Sequence, residues 1–254
     1  MHLQEHAAVD ADHRLHGNRT LARHGEYRLA GTHSDLSVPD GLVVMALHID
    51  HVFITCGVGA PEAGVLIERG FVEGSSNVHP GQGTANRRFF FANFTLELLW
   101  VANPLEATTD RVRHTGLWER WSRRGEGASR FGIVYSGVPA DGCQLPFTTR
   151  SYYPAYLPPP MSIEVVQGLN LVEPALFWIS HRAPVRDFRR IAIGLPFLRP
   201  LSEAARRVRD AELLAFFEAP SPVLEVHFEA EHDALIDCRP DLPLVFVGMA
   251  SSPP

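Results

Sequence analysis

Lysine is absent from this chain, and all 23 basic residues are arginine. Without a side-chain amine there is no Schiff-base nucleophile, no anchor for pyridoxal phosphate and no P-loop lysine. Cysteine is scarce. Cys56, Cys143 and Cys238 form an odd set with no C-x-x-C spacing. That pattern argues against a disulfide framework or a zinc ribbon and fits a reducing, cytoplasmic setting. No apolar run reaches the roughly 18 residues of a membrane span, so no membrane partner is expected. Positive charge is not in excess either. The net charge of −6 gives no general footprint for nucleic acid. What remains is a chain of 254 residues, 45% hydrophobic and 20% charged, long enough for one large domain or two modest ones.

The first forty residues differ from the rest. They hold six of the 13 histidines and no Ile, Phe or Trp. Apolar residues do not recur there at helical or strand period, and no continuous apolar stretch suggests a secretory signal. The acids Glu5, Asp10, Asp12 and Glu26 speak against a mitochondrial transit peptide. Residues 1–44 therefore read as a disordered N-terminal extension, with Met45 opening the globular part and offering an alternative start.

From Met45 onward the pattern is α+β. Leu47 to Cys56 alternates and is rich in β-formers, so a strand is expected. Pro61 to Arg69 predicts a short helix closed by Gly70. Phe71 to Val78 predicts a weak strand. Ala85 to Phe91 and Thr95 to Val101 predict strong ones, with a turn at Ala92, Asn93 and Phe94. Glu106 to Arg124 carries Leu117, Trp118 and Trp121 on one side and predicts an amphipathic helix ending in the Gly125/Gly127 loop. The same order returns later. Phe188 to Gly194 predicts a strand, and Leu201 to Phe217 a helix with Ser202 as N-cap. Val223–Glu229, Ala234–Cys238 and Leu242–Val247 predict three more strands. Two β-α-β-β-β units, 47–104 and 188–247, thus bracket a linking helix and a β-rich insert within 105–187.

The segments HIDHVFI, ERGF, HPGQGTANRRFFF and LELLWV together resemble the vicinal-oxygen-chelate superfamily, and within it the glyoxalase-like (glyoxalase/bleomycin resistance/dioxygenase) domain family. The resemblance is strongest over Met45 to about Pro104. It implies paired βαβββ modules whose sheets curve around a cleft. It also implies a divalent metal held there by His, Gln or Glu from the first and last strands. Activities on this fold include isomerases, epimerases, dioxygenases, thiol transferases and antibiotic-binding proteins, so the fold alone does not name the reaction.

On this resemblance His51 stands at the first-strand ligand position and Glu97 at the fourth-strand position. Glu97 is then also the candidate catalytic group. Imidazole plus carboxyl suits Zn, Fe, Mn or Ni, and a third ligand is required, for which His79 is the first candidate and His227 the second. His51 reads equally well as a strand histidine hydrogen-bonded to Asp50. Aligned with the first unit, the later unit places Arg190 where His51 stands and Pro243 where Glu97 stands, and neither can ligate a metal. This counts against glyoxalase I activity itself. Asn86 and Arg87, next to the glycines of HPGQGT, are candidates for binding substrate oxygens, as are Arg190 and Tyr153. Tyr152 and Tyr156 belong to the same Tyr/Pro-rich stretch and could line an aromatic mouth. Glu225, His227, Glu229 and Glu231 share one face of a strand, which reads as a ligand face or as a solvated one. The expected function is a metal-dependent lyase, isomerase or dioxygenase acting on a small oxygen-rich metabolite. The rival is a non-catalytic protein that binds a small molecule in the same cleft. Assembly as a homodimer is compatible with either.

Overall fold

A computed structural model describes residues 47–91, 95–137, 145–179, 190–196 and 200–250, with the backbone alone for Arg190 and Glu229. Residues 1–44, the turn at Ala92, Asn93 and Phe94, and Cys143 lie outside the described residues.

Thirteen strands among the described residues divide between two sheets. The first begins with β1 (His48–Thr55), followed by helix α1 (Ala63–Glu68). Next come β2 (Asn77–His79), β3 (Thr84–Phe90) and β4 (Thr95–Val101). This is the expected β-α-β-β-β order. It arises because Val52, Ile54, Leu96 and Leu98 bury one face of the strands while α1 adds Val65 and Leu66 to the same core. The sheet continues with β5 (Phe131–Ser136), β6 (Thr149–Tyr152), β7 (Ile163–Val166) and β8 (Ala175–Ile179). Its strand order is β2-β3-β4-β1-β5-β8-β7-β6. The two halves mirror each other about an antiparallel β1–β5 seam, and each seam strand has a parallel partner, β4 for β1 and β8 for β5. The sheet curls into a half-barrel, and the α+β fold of paired modules holds.

The partner of the first module differs from expectation. It is the stretch read as an insert, Phe131–Ile179, and not residues 188–247. The later strands form a separate sheet. They are β9 (Arg190–Leu195), β10 (Ala215–Glu218), β11 (Val223–Ala230), β12 (Ala234–Asp237) and β13 (Leu244–Ala250), in the order β10-β9-β11-β13-β12. This sheet repeats the seam on a smaller scale. Antiparallel β9 and β11 meet at the centre, flanked by their parallel partners β10 and β13. The element order therefore looked like one module while its strands belong to two abbreviated halves. The physical reason is that strand order is set by non-local pairing, which a linear pattern does not encode.

One continuous core joins the sheets. Ile133, Tyr135 and Leu176 of the first meet Ile191, Ile193, Leu224, Val226 and Phe246 of the second. The Tyr135 hydroxyl donates to Leu213 O at 3.2 Å, and Arg69 Nη2 donates to Asp237 O at 2.9 Å. With its inner face spent on this core, the eight-stranded sheet has its opposite face left for a cleft.

Helices depart from the pattern at both long candidates. Helix α4 (Glu203–Asp210) starts where expected, with Ser202 Oγ accepting from Ala205 N at 3.1 Å. It ends seven residues early, counted from Phe217, because Glu212 adopts φ +56° and the following aromatics join β9 as β10. The expected helix over Glu106–Arg124 is instead α2 (Pro104–Ala107), a 3-10 turn at Arg113–Thr115 and α3 (Leu117–Ser122). Gly116 breaks it at φ +68°, a conformation glycine adopts without strain. Among the described residues no helix is long and apolar enough to cross a membrane.

Candidate functional site

β1 and β4 run side by side in parallel, with His51 opposite Thr95 and Phe53 opposite Glu97. Strand side chains alternate, so these four residues and Leu99 share the face turned away from the core. They line a cleft of about 450 Å³ together with His79 from the end of β2. The structure thus brings His51, His79 and Glu97 to one cavity.

Each histidine is held by its own half of the sheet. Asp50, only 4% exposed, accepts from His51 Nδ1 at 2.7 Å. A neutral His51 therefore carries its proton on Nδ1, and Nε2 is the basic atom. His79 Nδ1 bonds Thr84 Oγ1 at 2.9 Å, and its Nε2 meets Asn77 Nδ2 at 3.3 Å. Gln82 Nε2 donates to the same Thr84 oxygen at 2.7 Å, and the Tyr156 hydroxyl donates to Gln82 Oε1 at 2.6 Å. Burial lowers the His79 pKa from its usual 6.5; nearby Glu97 opposes this shift, while His51 and Arg88 add to it. Burial raises the Tyr156 and Tyr152 phenols, which stay protonated donors.

Glu97 is half-buried and has no hydrogen-bond or ion-pair partner among the described residues. Its register neighbour across β3 is Arg88. That guanidinium is committed elsewhere: Nε donates to Ser75 O at 2.7 Å, Nη2 to Ser75 Oγ at 2.9 Å, and the group lies 5.0 Å from the Phe90 ring.

Several expected substrate contacts sit elsewhere. Arg87 projects to the other face of β3, forms a two-point ion pair with Glu73 at 2.6 and 2.5 Å, and donates to Ala60 O at 3.1 Å. The residue that reaches the cleft is its neighbour Arg88, which the sequence reading missed. Asn86 is fully buried, and its Oδ1 accepts from Asn77 N at 3.0 Å, which ties β2 to β3. Tyr153 is 61% exposed, whereas Tyr152 and Tyr156 enter the cleft wall. Arg190 lies on β9 in the other sheet, opposite His227 of β11. His227, paired with Glu225 at 3.1 Å, lies on β11 of that sheet, so it does not complete the His51 site. The face it shares with Glu225 is buried at His227, not solvated. Cys56 is buried, and desolvation pushes its thiol up to about 12, so it offers no nucleophile.

A shared metal asks for three converging donors. Among the described residues no group of three His, Cys, Asp or Glu is placed to hold an ion. Both His79 nitrogens are already in hydrogen bonds. On the second half of the sheet, the cleft-facing residues of β5 and β8 are Val134, Phe177 and Ile179, none of them a donor. The residues as placed do not fit the expected metal centre.

No family model matches the chain, and no curated protein matches its sequence. Among solved structures the chain is similar to a hypothetical protein from Staphylococcus aureus, at 9% identity and TM-score 0.46, covering 82% of this chain and 100% of that one. It is also similar to a methylmalonyl-CoA epimerase variant from Streptomyces coelicolor solved with 2-nitronate-propionyl-CoA, at 15% identity and TM-score 0.35, covering 52% and 95%. A 4-hydroxymandelate synthase variant from the same organism gives 12% identity and TM-score 0.35, covering 80% and 62%.

Proposed function

We propose that this is a glyoxalase-like protein of the vicinal-oxygen-chelate type, and that its cleft is an isomerase or lyase site that moves a proton on a small oxygen-bearing metabolite. The observation that carries the reading is the convergence of Asp50-held His51, His79 and Glu97 on one cleft of the eight-stranded sheet. Glu97 takes or returns the proton, and His51 acts at Nε2 on the neighbouring oxygen. Thr84 holds His79 in place, Gln82 donates to the same Thr84 oxygen, and Tyr156 donates to Gln82 from between β6 and β7. A divalent ion such as Zn, Fe, Mn or Ni suits the donor chemistry but not the donor placement. Stoichiometric metal in protein purified without chelator would reverse that part.

The test is proton exchange. Candidate oxo and hydroxy metabolites are incubated with the protein in heavy water, and loss of the C–H signal is followed by NMR. The expected result is deuterium wash-in that drops at least about a hundredfold in Glu97→Gln, with the circular dichroism of the fold unchanged. A second reading, binding without turnover, is favoured by Val134 and Phe177 standing where a second pair of donors would be needed. Ligand binding with no exchange would select it.

A further inference from the structure

The cleft has two unlike walls. The polar one comes from β1 to β4. The other is apolar, built from Val134 on β5, Ile163 on β7, and Phe177 and Ile179 on β8. Phe53 joins the apolar wall from across the seam. Its ring lies against Gly132, where an added Cβ would come within 1.9 Å of ring carbon. Glycine at that point of β5 leaves the slot in which the ring sits. The Phe53 and Phe177 centroids are 5.9 Å apart with the planes inclined by 41°, so two ring faces and edges form an aromatic floor.

Beside that floor stands one acceptor, the Glu97 carboxyl. Glu97 has no hydrogen-bond or ion-pair partner among the described residues. His51 turns its Nδ1 proton to Asp50, and Tyr156 gives its own to Gln82. Arg88 spends Nε and Nη2 on Ser75. A ligand that satisfies Glu97 brings a donor to it. Phe53 and Glu97 are register partners on neighbouring strands, so ring and carboxyl stand side by side on the cleft face. A ring resting on the floor meets Glu97 at its edge, through a substituent.

We infer that the ligand of this cleft is a planar aromatic or conjugated ring bearing a hydroxyl, the ring on Phe53 and Phe177 and the hydroxyl on Glu97. This rests on the proposed small-molecule function and deepens it to a ligand class. The cleft of about 450 Å³ admits a fused two-ring probe. The test is therefore a titration of the full-length protein with naphthol, naphthalene and decahydronaphthol. Naphthol has both the planar ring and the donor, naphthalene lacks the donor, and decahydronaphthol lacks the planar ring. Naphthol is expected to bind about tenfold tighter than either control. Glu97→Leu should erase its advantage over naphthalene, and Phe177→Leu its advantage over decahydronaphthol. Because Phe177→Leu keeps an apolar group, thermal melts of both variants serve to confirm folding. Should Phe177→Leu fail to fold, Phe53→Leu reads the same ring contact. Decahydronaphthol binding as tightly as naphthol, and still depending on Glu97, overturns the ring and leaves the small-molecule site standing. Naphthalene binding as tightly as naphthol overturns the hydroxyl. No binding by any probe, or binding indifferent to both Glu97→Leu and His51→Ala, overturns this inference; proton exchange that persists on another metabolite would show the site itself surviving.

Discussion

The two halves of the eight-stranded sheet share one topology and divide the chemistry between them. In the first half, the seam strand and its parallel partner place His51, Phe53, Thr95 and Glu97 on the cleft face. In the second, the corresponding neighbours are Gly132 and Val134 beside Ala175 and Phe177. The polar half carries its own supports, Asp50 for His51 and Thr84 for His79, all from β1 to β3. The apolar half needs none, because its side chains pack on one another and on Leu117 and Val112. The difference teaches that a repeated module fixes where side chains point but not what they do. One copy positions reactive groups while the other shapes the space in front of them.

This division can be broken most sharply on the apolar side. Phe177 is 4% exposed, so Phe177→Ala should cost about 3 kcal/mol in denaturant unfolding. A loss below about 1 kcal/mol would mean that this half is not a packed wall. At the seam, Gly132→Ala should cost about 2 kcal/mol, since the new methyl drives into the Phe53 ring. A double-mutant cycle with Phe53→Leu should return most of that loss, and strict additivity would count against the ring-on-glycine contact. The polar side should behave oppositely. Glu97→Leu removes a half-buried carboxyl with no hydrogen-bond or ion-pair partner among the described residues, so stability should hold or rise, by at most about 1 kcal/mol. A drop of several degrees would show that Glu97 is structural.

The smallest effect concerns pH. Burial lowers the pKa of His79, and of His114 beside the cleft wall, from the usual 6.5. On acidification the unfolded chain takes up these protons before the folded one does. Stability is therefore full above about pH 6.5 and falls as pH drops through that value toward the lowered folded pKa. His79→Gln should flatten part of the slope in a melting-point series. An unchanged slope would place the linkage elsewhere.

Much of the first module was legible in the chain. The alternation of LHIDHVFITC, the Pro-to-Gly bracket around α1 and the runs of β3 and β4 each follow from local periodicity. The N-cap at Ser202 was legible for the same reason, since a cap is a contact over three residues. The ends of helices were not. Nothing in the period of Leu201–Phe217 signals that Ala215–Glu218 will be recruited by β9. The site was legible in part. His51, His79 and Glu97 share a cleft, but Arg87 and Tyr153 each miss it by one residue, their neighbours Arg88 and Tyr152 taking the place. In a strand one residue is the difference between faces, and counting by twos along β3 from its register with Glu97 selects Arg88.

By itself the sequence determined the elements of the first module, the cap of the later helix, the exclusion of lysine chemistry and the choice of His51, His79 and Glu97, which meet in one cleft. Tertiary structure alone decided that Phe131–Ile179 is the partner of that module and that residues 190–250 form a second sheet behind it. It also decided that Gly132 seats Phe53 beside Glu97, and that among the described residues no three donors are grouped to hold an ion. Local patterns are written in neighbouring residues. Which strand lies beside which is settled only when distant apolar faces compete for the same core.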